Sequence, residues 1–282
     1  MSQTKQQIQS LLDQVGAFPR HRFGQNFMID RNLVSIIAQA GQVQRKDLVV
    51  EVGPGTGTLT EELLQLADEV VAVEIDRDLA AMLRDRFADR PGFCLIEGDA
   101  LESKHALNGE LLRRIDAARS AGQEVKLIAN LPYNIASPLV IDLLLAGVSR
   151  LAFTVQKEVA QRLAARADTQ EYGPLTVMAQ LLASVELERT LPPQAFWPRP
   201  KIESALVCMQ ADNRIGQDAR QFGELVQLLF SARRKTLRKA LSMAGHEAVD
   251  EVLGDLGIDP KARPETVDPP RLLQLYRKLR GR

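Results

Sequence analysis

The sequence predicts an α/β domain built on a parallel sheet and followed by a small all-helical domain, on three observations. Short apolar runs alternate with amphipathic helical stretches from residue 49 to about 160, the pattern of strands joined by helical crossovers. One run, residues 49–52, ends in glycines at every second position, Gly53-Pro54-Gly55-Thr56-Gly57, before a helical pattern resumes. From about Asp212 only helical periodicity remains. The expected domains are therefore 1–211 and 212–282.

Composition bounds the class. The 282 residues are 45% hydrophobic and 26% charged, ordinary values for a globular chain with room for one large and one small domain. No apolar run is long enough to span a bilayer and the N-terminus lacks a signal-peptide core, so a cytoplasmic location with no membrane partner is expected. Cys94 and Cys208 stand outside any CxxC pattern and the three histidines have no metal-ligand spacing; no metal is expected. The 36 basic and 36 acidic residues are unevenly placed: from residue 212 onward there are 14 against 10, so the tail is basic.

Taken in order, residues 1–20 read as a polar helix ending near Gly16, with no evident chemistry. Residues 21–30, His21-Arg22-Phe23-Gly24-Gln25-Asn26-Phe27-Met28-Ile29-Asp30, set basic residues, aromatics and amides around a glycine, suited either to a phosphate backbone or ligand or to a structural loop. Residues 30–41 form a helix closed by Gly41. The apolar run to Glu51 and Val52 is a strand, the glycines a tight turn that can approach a ligand closely, and Thr58-Leu59-Thr60-Glu61 a capping box opening a helix. Strands at 70–73, 93–96 and 125–129 end at Glu74, at Gly98-Asp99-Ala100 and at Asn130-Leu131-Pro132-Tyr133. Ligands of parallel sheets bind at the carboxyl ends of strands, and here every such end carries a polar group.

Glu74 is placed to accept the hydroxyl protons of a ribose, and Asp99 either to accept from an exocyclic amine or to serve as an ordinary turn acid. Residues 102–124 read as a surface excursion. Ser137-Pro138 reads as a helix cap and first position, and residues 151–155, 184–191 and 204–209 as strands. In the proline-rich stretch 191–200, Phe196 and Trp197 are either core or a platform for a base. The helices of the tail include residues 231–243, which carry Arg233, Arg234, Lys235, Arg238 and Lys239, either a solvated face or a polyanion contact.

The Asn130-Leu131-Pro132-Tyr133 tetrapeptide narrows the chemistry. An amide oxygen and a backbone carbonyl can accept the two hydrogens of an exocyclic amine while a ring stacks on the base, which frees the nitrogen lone pair for alkylation. A nicotinamide dehydrogenase would share the glycine loop and Glu74 but wants GxGxxG, and the third glycine here comes one residue early.

With Phe23-Gly24-Gln25-Asn26-Phe27, the 51–57 loop, Glu74-Ile75-Asp76, Gly98-Asp99-Ala100, Gln156-Lys157-Glu158-Val159 and Arg233-Arg234-Lys235-Thr236-Leu237, the chain resembles the ribosomal RNA adenine N6,N6-dimethyltransferases from about His21 to Leu241. Within them it is most similar to the bacterial enzymes that modify two adjacent adenines near the 3′ end of small-subunit rRNA. The insert 102–124 and residues 1–20 depart from the family pattern. The resemblance implies a Rossmann-like methyltransferase sheet, S-adenosyl-L-methionine as cofactor, and small-subunit rRNA or a 30S-type precursor as partner of a monomeric enzyme. It implies cofactor contacts from Gln25, Asn26, Met28, Gly53, Gly55, Gly57, Glu74, Ile75, Asp99, Ala100 and Asn130. Catalytic placement would fall to Asn130, Leu131, Pro132, Tyr133 and Phe196, and RNA contact to Arg22, Arg233, Arg234, Lys235 and Arg238. The alternatives are a large-subunit rRNA adenine methyltransferase of the macrolide-resistance type, against which Gln156-Lys157-Glu158 and the basic run argue, and an assembly factor that mainly binds pre-rRNA.

Overall fold

The computed structural model describes residues 3–20, 23–103 and 106–281. The elements in chain order are α1 (Lys5–Gln14), β1 (Phe27–Met28), α2 (Arg31–Ala40), β2 (Leu48–Val52), α3 (Thr58–Leu66), β3 (Glu69–Glu74), α4 (Arg77–Arg86), β4 (Phe93–Glu97), β5 (Leu101–Ser103), β6 (Ala106–Leu107), α5 (Gly109–Ser120), β7 (Val125–Asn130), α6 (Ala136–Leu145), β8 (Arg150–Gln156) and α7 (Lys157–Leu163). There follow α8 (Pro174–Leu182), β9 (Ala183–Leu191), β10 (Phe196–Trp197), β11 (Ser204–Ala211), α9 (Ala219–Ser231), α10 (Leu237–Met243), α11 (Val249–Asp255) and α12 (Pro269–Arg280).

The central sheet runs in the order β4-β3-β2-β7-β8-β11-β9. The strands from β4 to β8 are parallel, and β11 lies antiparallel to β8. That antiparallel edge departs from the all-parallel expectation. Strands β2, β3 and β7 of the parallel part are buried on both faces, which is why they read as apolar runs. Chain order runs outward from β2 to β4 on one side and from β7 to β8 on the other, so the sheet's switch point lies between β2 and β7.

Contacts divide the chain into two compact units, one of residues up to Ala160 with Glu186–Ala211, the other of Gln161–Val185 with the residues from Asp212 onward. The boundary at 211/212 thus misses Gln161–Val185. Helix α8 in that segment buries Val177, Met178, Leu181 and Leu182, and it packs with α9 and α12. Within the same unit Phe222 meets the Tyr276 ring edge-on at 5.5 Å, and the Tyr172 hydroxyl donates to the Val267 carbonyl at 2.7 Å.

Three local readings are corrected. Residues 102–124 are no surface excursion: after the short β5–β6 hairpin, α5 buries Leu111, Ile115 and Ala118 against the sheet as the crossover between β4 and β7. Ser137 caps nothing, since α6 has already begun at Ala136 behind Ile135. The helix read across 231–243 is broken. Helix α9 stops at Ser231, and Thr236 caps α10 by accepting from the Lys239 amide, so Arg233, Arg234 and Lys235 sit in the turn between them.

Residues 3–20 are an integral part of the first unit. The capping box of α1 is Thr4 with Gln7, and Ile8, Leu12 and Ala17 are buried among Leu79, Met82, Leu83 and Phe87 around α4. Truncating the fully buried Ile8 removes several methylene equivalents from a closed site. Ile8→Ala is expected to lower unfolding stability by about 2–4 kcal/mol in denaturant titration; a loss below about 0.5 kcal/mol would place α1 outside the cooperative core.

Candidate active site

The loop between β2 and α3 builds the floor of the site. Gly53, Gly55 and Gly57 have φ of 72°, 59° and 79°, a backbone that side chains resist. Packing reinforces the choice: a Cβ on Gly55 would lie 2.9 Å from the Phe27 ring, and one on Gly57 2.7 Å from the Phe87 ring. Gly57 thus serves helix packing and does not line the cleft. With Gly57 as its N-cap, α3 begins without a side-chain cap, so the capping box expected of Thr58 and Glu61 does not form. Thr60 instead donates to Glu51 Oε2 at 2.6 Å, and Thr58 Oγ1 is buried with no partner among the described residues.

Over this floor lies a cleft of about 970 Å³ including its open mouth, at the carboxyl ends of β2, β3, β4 and β7. It is lined by Gln25, Asn26, Met28, Gly53, Gly55, Glu74, Ile75, Asp99, Ala100, Asn130 and Pro132 of the sequence-derived set. It is lined also by Glu51 and Thr58, neither of which that set included. An acidic residue within an otherwise apolar strand was the available signal for Glu51; the capping-box reading masked Thr58.

Glu74 is 3% exposed and accepts from two backbone amides, Gly55 at 3.2 Å and Asp76 at 2.9 Å. Burial pushes its carboxyl up to about 7 against those hydrogen bonds. Burial pushes the Glu51 carboxyl up to about 8, with Thr60 opposing and the Glu74 charge adding to the rise. At the outer rim Ile75 is 39% exposed, and Asp99, also exposed, accepts from the Leu101 amide at 3.0 Å.

Asn130 closes the cleft at the end of β7. Its Nδ2 donates to the Asn26 carbonyl at 2.8 Å, which joins the Gly24-to-Met28 segment to the strand end, and its Oδ1 accepts from the Thr154 hydroxyl. An amide oxygen has two lone pairs, so one remains for another donor. Tyr133, next to the cleft and half-buried, shares a 2.7 Å hydrogen bond with the Ser204 hydroxyl, and burial raises its phenol above the usual value. Leu131 is buried beneath the turn. Phe196 is 2% exposed and pairs with Met28 across the β1–β10 ladder within the hydrophobic core, so of the two readings of that ring the structure takes core. Arg22 lies outside the described residues. Arg233, Arg234, Lys235 and Arg238 belong to the helical unit, Arg233 3.8 Å from Glu265 and Arg238 2.8 Å from Asp250. Among the described residues no group of histidine, cysteine and acidic side chains could hold a metal, and no helix is long and apolar enough to cross a membrane.

A cleft at the switch point of a parallel sheet, with a glycine-loop floor, a carboxylate at the second strand end and an amide at the fourth, defines a Rossmann-like methyltransferase. The chain belongs to the ribosomal RNA adenine dimethylase family, whose model matches residues 18–280. It is 40% identical over 268 residues to the ribosomal RNA small subunit methyltransferase A of Anaeromyxobacter dehalogenans, covering 92% of each chain. It is 40% identical over 273 residues to that of Magnetococcus marinus, covering 95% of this chain and 94% of the other. Among solved structures, a dimethyladenosine transferase from Plasmodium falciparum shares the fold at TM-score 0.75 and 23% identity, covering 90% of this chain and 98% of its own. The 23S rRNA methyltransferase ErmE matches at TM-score 0.65 and 25% identity, covering 90% and 100%.

The donor set fits S-adenosylmethionine. Buried carboxyls suit a ligand with positive charge, the uncapped N-terminus of α3 and the unpartnered Thr58 hydroxyl suit its carboxylate end, and Glu74 and Ile75 suit a nucleoside.

Both raised carboxyls favour their protonated forms in the folded chain. Folded values near 7 and 8 against an ordinary 4.5 mean that their contribution is complete below pH 4.5 and is lost as pH rises through 7 to 8. The ligand-free protein should therefore lose stability, on the order of a few kcal/mol, between pH 5 and 9 through these groups. Glu51→Gln, which keeps the Thr60 bond without a charge, should flatten the fall of Tm across that range; an unchanged slope would show that Glu51 is ionised at no cost.

Proposed function

We propose that the chain transfers methyl groups from S-adenosylmethionine to N6 of two adjacent adenines near the 3′ end of small-subunit (16S) rRNA, as a cytoplasmic monomer acting on a 30S-type precursor. Family membership and the names of the relatives support rRNA adenine dimethylation and the small-subunit substrate. The observation that carries the chemistry is Asn130, which lines the cleft, is tethered through its nitrogen to Asn26, and accepts at its oxygen from Thr154 with one lone pair left for a further donor.

S-adenosylmethionine supplies an electrophilic methyl on a cationic sulfur. Asn26, the Met28 backbone and Gly53 would close on its methionine end, with Gln25, Gly55 and Ala100 in support. Glu74 would accept from the ribose hydroxyls with the lone pairs that the Gly55 and Asp76 amides leave. Ile75 would pack on the adenine ring and Asp99 would take its amine. For the target base, Asn130 Oδ1 and the backbone carbonyl beside Pro132 would accept the amine hydrogens, which withdraws the nitrogen lone pair from the ring and aims it at the methyl. Tyr133 would stack on a base swung out of its helix, held in place by Ser204. No side chain need act as a base before attack, because the alkylated nitrogen is itself strongly acidic. The turn at Arg233, Arg234 and Lys235, with Arg238, would meet RNA phosphates.

Asn130→Ala should abolish labelled methyl transfer onto small-subunit particles while cofactor affinity stays within roughly tenfold, about 1.4 kcal/mol. Full activity in that variant would remove Asn130 from the chemistry, and dimethyladenosine found only in large-subunit RNA would reassign the substrate. Charge reversal at Arg234 and Lys235 should weaken RNA binding and lower its salt slope by roughly 0.7–0.9 for each phosphate no longer neutralised; an unchanged slope would return the turn to a solvated face.

A further inference from the structure

We propose that Thr154 is a positioning residue for methyl transfer, acting through Asn130. This rests on the reading of Asn130 as the acceptor of the target amine. Thr154 lies on β8 directly opposite Asn130 in the parallel β7–β8 ladder, and its carbonyl accepts from the Leu131 amide at 3.2 Å. It is fully buried between Phe153 and Val155, themselves fully buried, in a strand whose interior is otherwise apolar. Nothing in that packing asks for a hydroxyl. Valine has the same shape, and a buried hydroxyl is unfavourable unless bonded. The hydroxyl donates to Asn130 Oδ1.

The direction of that bond is dictated by the other end of the amide. The Asn26 carbonyl can only accept, so it selects Asn130 Nδ2 and turns Oδ1 toward Thr154. A side-chain amide held at its nitrogen alone can still swing about its terminal torsion, which is broad. Held at both ends, it cannot. Thr154 thus fixes the plane of the amide and leaves a single Oδ1 lone pair in a single direction for the incoming amine. Thr154 is fully buried and does not line the cleft, so it touches neither cofactor nor base. Its effect belongs in the rate of transfer and not in binding.

The test compares Thr154→Val, Thr154→Ser and Asn130→Ala in the full-length protein. The readouts are kcat and KM for methyl transfer onto small-subunit particles, S-adenosylhomocysteine affinity by calorimetry, and Tm. Thr154→Val should lower kcat by roughly tenfold or more, the scale of one hydrogen bond felt at the reacting nitrogen. KM, S-adenosylhomocysteine affinity and Tm should stay near their wild-type values, with Tm free to rise because a bonded hydroxyl has been replaced by a methyl in an apolar strand. Thr154→Ser, which keeps the hydroxyl, should recover most of the rate. Wild-type kcat in Thr154→Val overturns the proposal, as does a rate loss that tracks a fall in Tm or one that serine does not recover. An active Asn130→Ala overturns the underlying reading of Asn130, whatever Thr154 does, so the two failures are distinguishable.

Discussion

The structure depends on one backbone constraint, the passage from β2 into α3 through three left-handed glycines. Because Gly53, Gly55 and Gly57 turn the chain without side chains, Phe27, Phe87 and Pro132 can close on the loop from three directions. Each belongs to a different wall of the cleft or its support: Phe27 to the segment that carries Asn26 and Met28, Phe87 to the end of α4, Pro132 to the strand-end turn. A methyl group on the loop would push at least one of them away. The same turn leaves α3 without a side-chain cap, so the positive end of its dipole and the Thr58 hydroxyl face the cleft unsatisfied. Fold and binding chemistry therefore share one cause.

Electrostatics extends that logic. Two carboxyls, Glu51 and Glu74, are buried on adjacent strands at the expense of their ionisation, and a fold selected for stability alone would have placed apolar residues there. A cationic ligand relieves both, since opposite charge favours the ionised forms. At the amide end of the cleft, the bonds among the described residues Asn26, Asn130 and Thr154 and between Tyr133 and Ser204 are neutral. Such an end suits a neutral base that must be held and oriented rather than deprotonated. The division of the cleft into an acidic side and a neutral side follows the division of the reaction between a charged donor and an uncharged acceptor.

Most of this was legible in the sequence for a physical reason: strands buried on both faces leave continuous apolar runs, and their polar ends stand out against them. Glu74, Asp99 and Asn130 were found that way, and all three line the cleft. What escaped depended on contacts between distant segments. Thr58 and Glu61 match a capping box locally, but the left-handed Gly57 takes the N-cap position, and the Glu51 carboxyl takes the hydroxyl of Thr60 nine residues downstream. Thr154 is one threonine among apolar residues until β7 is laid beside it in register. Helix α5 looked like an insert because its buried stripe of Leu111, Ile115 and Ala118 is narrow, as expected where only one face meets the sheet. Phe196 could not be divided between core and platform by composition; the β1–β10 pairing, which joins it to Met28 far upstream, decided it for the core.

The same logic reaches furthest in the N-terminal segment. Residues 3–17 precede the stretch matched by the family model, and nothing in their composition suggests a site. Yet the buried Gln3 amide bonds Thr56 in both directions, donating to its carbonyl at 3.1 Å and accepting from its hydroxyl at 2.6 Å, and Arg86 donates to the same carbonyl. Arg20 pairs with Asp76 at 2.8 Å, where Gln25 also bonds, so the turn after Glu74 is held from outside as well. An open loop of glycines has little stiffness of its own, because each glycine enlarges the set of conformations it can leave for. The contacts of Gln3 and Arg86 to Thr56 and of Arg20 to Asp76 restrict that set from residues that do not themselves line the cleft. The floor of the site is glycine so that a ligand can approach it, and the segment with no chemistry of its own supplies the rigidity that glycine cannot.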